Sequence, residues 1–304
     1  MRNILKSTIL TAALCSVLLG FSQTELPIQP IEDVNPIAEL QNQDLQNLLQ
    51  TEIYKNIRWK SLIINKKMSI AIVDLTDNCN IKYAGLNDNH MMYAASLPKI
   101  AILLAAMDAI DKGELKDTKE VRKDMRLMIS KSNNQASTRM IDRVGYNKIE
   151  AVLRAPKNKL YDEEVGGGLW VGKRYAAGGK RHPDPMKGLS HAATTKQVCS
   201  FYYQLVMGNL VSTERSKEML DIMKDPALHH KFVNTLDRIA PKATIYRKSG
   251  SWKNYHADSA LVWGPKRKYI IVALIDNNLG EQITRDLVVP IEKVLKKSRS
   301  LAKV

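Results

Sequence analysis

Cysteine is scarce, three residues in a chain of 304, which excludes a disulfide-built miniature fold. Glycine and proline number only 15 and 11, so neither a collagen-like period nor a long disordered tract is present. The six histidines (His90, His182, His191, His229, His230 and His256) fall at no metal-ligand spacing, and neither metal nor cofactor is expected. No internal repeat occurs at solenoid periods. Carboxylates are also in deficit: 31 Asp and Glu face 46 Lys and Arg, a formal charge of +15. Such an excess suits an anionic neighbour (nucleic acid, lipid head groups or cell-wall polymer) without choosing among them. The charge is spread along the chain rather than gathered into a nucleic-acid-binding motif, so no nucleic-acid partner is expected. Clusters such as Lys266-Arg267-Lys268 and Lys296-Lys297 read as solvated surface, with at most weak attraction for anionic envelope polymers.

What is present is ordinary globular material, 44% hydrophobic and 25% charged, with ample length for a real core. Arg2 and Lys6 precede an apolar run from Ile9 to Leu19 that is too short to span a bilayer. Gly20-Phe21-Ser22 then offers small residues for cleavage before Gln23. Residues 1–22 therefore read as a secretory signal peptide, and a periplasmic or secreted protein is expected. Leu14 stands where a lipoprotein would carry a small residue before Cys15, which argues against a lipid anchor. Residues 23–36, with Pro27, Pro30 and Pro36, read as a linker to one domain over 37–304. Cys79 and Cys199 are compatible with one disulfide or with two buried, unpaired thiols.

Apolar spacing predicts a helix from Ile37 to about Ile57, strands at Met68–Leu75 and Ile81–Leu86, and a helix over Ser96–Ile110 ending at Lys112-Gly113. Helical patterns follow at 118–132, 135–144, 147–154, 194–208 and 213–223, around an irregular stretch from Lys157 to Leu189. Strands are expected at Thr244–Lys248, Ser259–Gly264 and Lys268–Asp276, then a helix over Gln282–Lys297. This order implies an α+β fold. An antiparallel sheet from both ends of the domain (about 37–95 and 241–304) is flanked by the terminal helices, and an all-helical lobe (about 96–240) is inserted between them.

Ser96-Leu97-Pro98-Lys99 opens the central helix. Proline is tolerated there because its missing N–H would be unpaired in a first helical turn. Ser96 thus sits where backbone N–H groups and the helix dipole favour negative charge, and Lys99 falls on the same face, within reach of the serine hydroxyl. A serine beside a lysine of lowered basicity is a nucleophile–base pair. Ser-x-x-Lys alone is weak; Ser300-Leu301-Ala302-Lys303 repeats it in the basic tail, where nothing preorganises it. Two further elements sharpen it. Ser132-Asn133-Asn134 lies between two helical segments, and Lys248-Ser249-Gly250 ends a strand, with Ser251 beyond.

The three motifs, in this order and on these elements, resemble those of the penicillin-recognising serine hydrolases, most closely the class A β-lactamases, which carry Ser-x-x-Lys, Ser-Asp-Asn and Lys-Thr-Gly. The resemblance covers roughly residues 37–298 and implies the β-lactamase/transpeptidase-like fold. It implies Ser96 as acylated nucleophile, Lys99 as part of its base system and Ser132 as proton donor to the leaving nitrogen. Asn134 would hold the substrate's side-chain amide, and Lys248 with Ser249 its carboxylate. Lys248, as a second cation, would also lower the basicity of Lys99. Gly250 lets a ligand lie against the strand, and the N–H groups of Ser96 and Ser251 would form an oxyanion hole. The implied partner is a small β-lactam or a peptidoglycan peptide, taken by a monomer.

Two departures are mild: Asn133 replaces the family's aspartate and Ser249 its threonine. The third is serious, because the Glu-x-x-Leu-Asn loop that activates the deacylating water in class A enzymes is missing from residues 155–190. Glu164, beside Glu163, is the nearest candidate, but glycines follow it. With Glu164 in that role β-lactam hydrolysis is expected. Without it the expectation is a slowly deacylating peptidase-like or esterase-like enzyme, or a non-catalytic wall-binding relative.

Overall fold

The helix that opens with Lys99 is apolar from Ile100 to Ile110 except for Asp108, and such a helix belongs in the interior. In the computed structural model, which describes Leu26 and residues 34–301, α3 (Lys99–Asp111) is the axis of the helical lobe, and every residue from Lys99 to Ile110 is buried. Around it lie α4 (Lys119–Ser130), α5 (Asn134–Val144), α6 (Tyr146–Arg154), α7 (Thr195–Val206) and α8 (Thr213–Met223). Thr118, Asn133, Thr194 and Ser212 each accept a backbone N–H one turn into α4, α5, α7 and α8, satisfying donors the helix cannot.

Five strands form one antiparallel sheet: β1 (Met68–Asp74), β2 (Lys82–Leu86), β8 (Thr244–Trp252), β9 (Tyr255–Gly264) and β10 (Arg267–Asp276), in the order β2-β1-β10-β9-β8. Period-two alternation divides them between two cores. Ala71, Val73, Ile270, Val272 and Leu274 face the helical lobe. Ile70, Ile72, Ile271, Ala273 and Ile275 face the other layer, made by α1 (Gln43–Tyr54), α9 (Phe232–Ile239) and α10 (Gly280–Leu301). The α+β architecture expected from the sequence is the one observed. The sheet ends in β8. Its outer edge is bridged by Lys224 at Tyr246, has no strand partner along its C-terminal part among the described residues, and borders the helical lobe.

Several expectations are corrected. The single helix over 37–57 is a 3-10 turn at Ile37–Leu40, then α1, then α2 (Ile57–Ile64), because Asn42 and Asn56 each cap a new start. Strand β8 does not stop at Lys248; it runs to Trp252 and turns through Lys253-Asn254, with Lys253 at φ 50°, into a strand that begins at Tyr255. The Lys248-Ser249-Gly250 motif and Ser251 therefore all lie within an edge strand. Helix α9 and the small strands β3 (Met92–Tyr93), β4 (Tyr161–Asp162), β5 (Gly167–Gly168), β6 (Trp170–Val171) and β7 (His191–Ala193) are short elements that the pattern did not foretell. They pair as β3-β7-β6 and β4-β5. Cys199 is buried and Cys79 exposed, and both are free thiols. The signal peptide over 1–22 and most of the linker lie outside the described residues.

Candidate active site

Ser96 sits in a tight turn that leads into α3, one turn earlier than a helix start at the serine would put it. Leu97 N donates to Ala94 O at 3.0 Å and Lys99 N to Ser96 O at 3.3 Å, and the regular helix begins at Lys99. Ala95, just before the serine, has φ 49°, a left-handed conformation costly for a residue with a Cβ. Strand β8 seals the other side. A Cβ built on Gly250 would lie 2.2 Å from Ala94 O and 2.7 Å from Ser96 N, so only glycine lets strand and turn meet.

Ser132 joins α4 to α5 at φ 53°. Its neighbour Asn133 accepts the Ala136 N–H at 2.8 Å as N-cap of α5. Asparagine and aspartate cap about equally well, which accounts for the tolerated departure at this position. From α3 the Lys99 ammonium reaches across to Ser132 O at 2.6 Å, Ser132 Oγ at 3.4 Å and Asn134 Oδ1 at 2.8 Å. From β8 the Lys248 ammonium donates to the same Ser132 Oγ at 2.8 Å and to Ser249 O at 2.6 Å. Two lysines from different lobes thus converge on one hydroxyl. The predicted residues Lys99, Ser132, Asn134 and Lys248 are joined by hydrogen bonds, and Gly250 is packed against Ser96. No hydrogen bond among the described residues joins Lys99 to Ser96 Oγ, the Lys99 protons being given to Ser132 and Asn134.

Burial without a carboxylate partner lowers the pKa of Lys99 to about 7. Lys248 is depressed well below the ordinary range, first by burial and then by the charge of Lys99. Burial is the first cause at both lysines, and two ammonium groups held on one hydroxyl disfavour each other's charge. Arg247 and Asp258, a buried ion pair on β8 and β9, neutralise each other at 2.7 Å.

Glu164 is not brought to this cluster. Asp162 folds back to accept the Glu164 N–H at 3.0 Å, and the β4–β5 hairpin leaves Glu164 exposed. Gly166, at φ 91°, is pinned where a Cβ would lie 2.3 Å from Asn89 O, which holds this turn against Asn89. The other acids of the loop are committed elsewhere. Glu163 pairs with Arg154 at 2.7 Å, while buried Asp184 accepts from Tyr161 Oη, Met186 N, Lys187 N and Leu189 N. Among the described residues no carboxylate is hydrogen-bonded to Lys99, Ser132 or Lys248.

The residue the loop does deliver is Tyr175, which the sequence did not single out. Its ring centroid is 4.4 Å from Lys99 Nζ, and its hydroxyl donates to Ala95 O at 3.1 Å. The loop is clasped at its base. His182 N donates to Gly172 O at 2.7 Å, and the His182 ring stacks between Tyr146 and Trp170 at 5.7 and 5.5 Å. Behind Tyr175 lies His191, 4.3 Å away and held neutral by burial at a pKa of about 4.

A nucleophile position at a helix entrance, two converging lysines and an edge strand define a serine β-lactamase-like site. The chain belongs to the β-lactamase enzyme family, whose family profile matches residues 49–126 and 116–295. The fold is shared with a β-lactamase from Sphaerobacter thermophilus at TM-score 0.62 and 19% identity, over 75% of this chain and 90% of that one. PBP-A, captured as a variant in an acyl-enzyme complex with penicillin G, superposes at TM-score 0.63 and 17% identity, over 88% and 99%. A β-lactamase from Chitinophaga pinensis does so at TM-score 0.61 and 16% identity, over 83% and 99%. No curated protein sequence matches the chain.

Proposed function

We propose that this protein is an exported penicillin-recognising serine acyl-transferase or hydrolase that β-lactams acylate at Ser96 and leave slowly, closer in behaviour to a penicillin-binding peptidase than to a fast β-lactamase. Neutral Lys99 takes the Ser96 hydroxyl proton as Oγ attacks the substrate carbonyl carbon. The carbonyl oxygen becomes an oxyanion facing the N–H groups of Ser96 and Ser251. On collapse the carbon–nitrogen bond breaks, Ser132 gives its proton to the leaving nitrogen, and Lys99 restores it through their hydrogen bond. Asn134 and Ser249 line the substrate's path, and Lys248 receives its carboxylate, whose negative charge draws a proton back onto that lysine.

Release requires water to attack the new ester with a base to take its proton, an assistance worth about 10²–10⁴-fold. The observation that carries the slow-release half is that, among the described residues, no carboxylate is hydrogen-bonded to Lys99 or Ser132, with Tyr175 lying over Lys99 instead. Family membership favours a second reading, hydrolytic turnover of β-lactams, through a base other than Glu164.

The test follows absorbance and intact mass together when a chromogenic β-lactam is mixed with the purified protein, with Ser96→Ala as control. The proposal expects one lasting adduct, lost in the control, and little colour beyond one equivalent. Sustained colour with no accumulated adduct supports hydrolytic turnover, and absence of both adduct and colour overturns both.

A further inference from the structure

Lys231 stands just before α9 with φ 56° and ψ −128°, a left-handed backbone that a side-chain-bearing residue adopts only under constraint. Its side chain is fully buried, and among the described residues no carboxylate forms an ion pair with it. The three ammonium protons go to Gly250 O at 2.5 Å, Ser251 Oγ at 2.8 Å and Ala257 O at 3.0 Å, all on the β8–β9 hairpin. Asp258, next to Ala257, is committed to Arg247 and to the Phe232 and Ser259 N–H groups. A buried lysine spent on neutral oxygens is a costly way to close a hairpin.

What it holds is one particular peptide. Gly250 pairs with Ala257, and the Gly250 carbonyl is turned toward Lys231. In a trans peptide the N–H of the next residue points the opposite way. The Ser251 N–H is thereby aimed toward the unpaired edge of β8, the side of the cleft. A cation on the carbonyl oxygen also polarises the peptide and strengthens its N–H as a donor. The Ser251 hydroxyl, tied to the same ammonium, is kept from competing.

We infer that Lys231 is a positioning residue for acyl transfer, whose ammonium fixes and polarises the Gly250–Ser251 peptide so that the Ser251 N–H meets the oxyanion formed on Ser96. This rests on reading Ser96 as the acylated nucleophile. The charged and titratable groups around Lys231 are Asp258 and His256 on β9, Arg247 and Lys248 on β8, Glu281 at the start of α10, and His230. Burial outweighs the two carboxylates and lowers its pKa to about 8, so the clamp discharges in mildly alkaline solution.

The test is the rate of Ser96 acylation by penicillin G, read by intact mass at several concentrations from pH 7 to 9.5. Lys231→Met is expected to slow the saturating rate about 10–100-fold, with half-saturation little changed. That is less than the roughly 10²–10³-fold cost of removing an oxyanion donor outright, because the N–H is misplaced and not lost. The wild-type rate is expected to fall above pH 8, and Lys231→Arg to remove that fall. A Met variant that acylates at the wild-type rate, or loses only affinity, overturns the inference. Should that variant fail to fold, wild type and Lys231→Arg with superimposable pH profiles overturn it. A wild-type protein that forms no adduct removes the reading of Ser96 and this inference with it.

Discussion

Gly250→Ala tests the junction between the two lobes at a single carbon. The new Cβ would lie 2.2 Å from Ala94 O, 2.7 Å from Ser96 N and 2.8 Å from Leu97 N, all backbone atoms that cannot rotate away. The deficit at Ala94 O is about 1 Å relative to ordinary contact, so strand and turn must separate by that much. Overpacking of this kind costs about 1–3 kcal/mol of stability. A displacement of about 1 Å at reacting groups costs about 10²-fold in rate. The variant is therefore expected to fold with a lowered Tm and to be labelled by a fluorescent penicillin about 10²-fold more slowly. Gly178→Ala is the control, because its Cβ would meet nothing within 4 Å, and wild-type labelling is expected. Labelling of Gly250→Ala within threefold of wild type would refute the packing argument and the placement of the oxyanion donors.

Other outcomes follow from the same geometry. Acylation is expected to rise with pH through about 7 as Lys99 loses its proton, measured as rate of adduct formation; a flat profile from pH 5.5 to 7.5 would contradict Lys99 as base. Because the fold lowers that pKa from 10.5, the unfolded chain binds more protons between about 7 and 10.5, so this lysine makes stability rise with pH across that window, readable in denaturant midpoints. Glu164→Gln is expected to leave adduct lifetime unchanged, since Glu164 is exposed and hydrogen-bonded to none of the catalytic side chains; a lengthened lifetime would return the deacylating role to it. Asn133→Ala should cost about 1 kcal/mol through loss of the α5 cap while Asn133→Asp costs little, compared by thermal unfolding. Expression in a bacterial host is expected to yield a mature chain beginning at Gln23, read by N-terminal sequencing; a retained Met1 would contradict the export signal.

The motif residues were legible because each type is demanded locally. A proline tolerated at a helix entrance located Ser96, an N-cap explained Asn133, and a glycine in a strand marked a close backbone approach. The core faces of β1 and β10 were legible for the same reason, since alternation is a local property. Glu164 misled because an acidic residue at a plausible distance says nothing of direction, which Gly166 and Asn89 decide from elsewhere in the chain. Tyr175 and Lys231 left no periodic trace. One is placed by the stacking of Tyr146, His182 and Trp170, the other by a left-handed backbone and three hairpin oxygens. The share of burial in lowering the basicity of Lys99 was equally hidden, because burial is a property of the assembled lobes.

The central claim is that the site is built to acylate and not to release. The direct measurement is the lifetime of the Ser96 adduct: the protein is saturated with penicillin G, freed of excess, and followed by intact mass over several hours. The account predicts an adduct of the full penicillin mass that maps to the peptide carrying Ser96 and persists for at least many minutes. Recovery of unmodified protein within seconds would contradict it and require a base for water that the described residues do not supply.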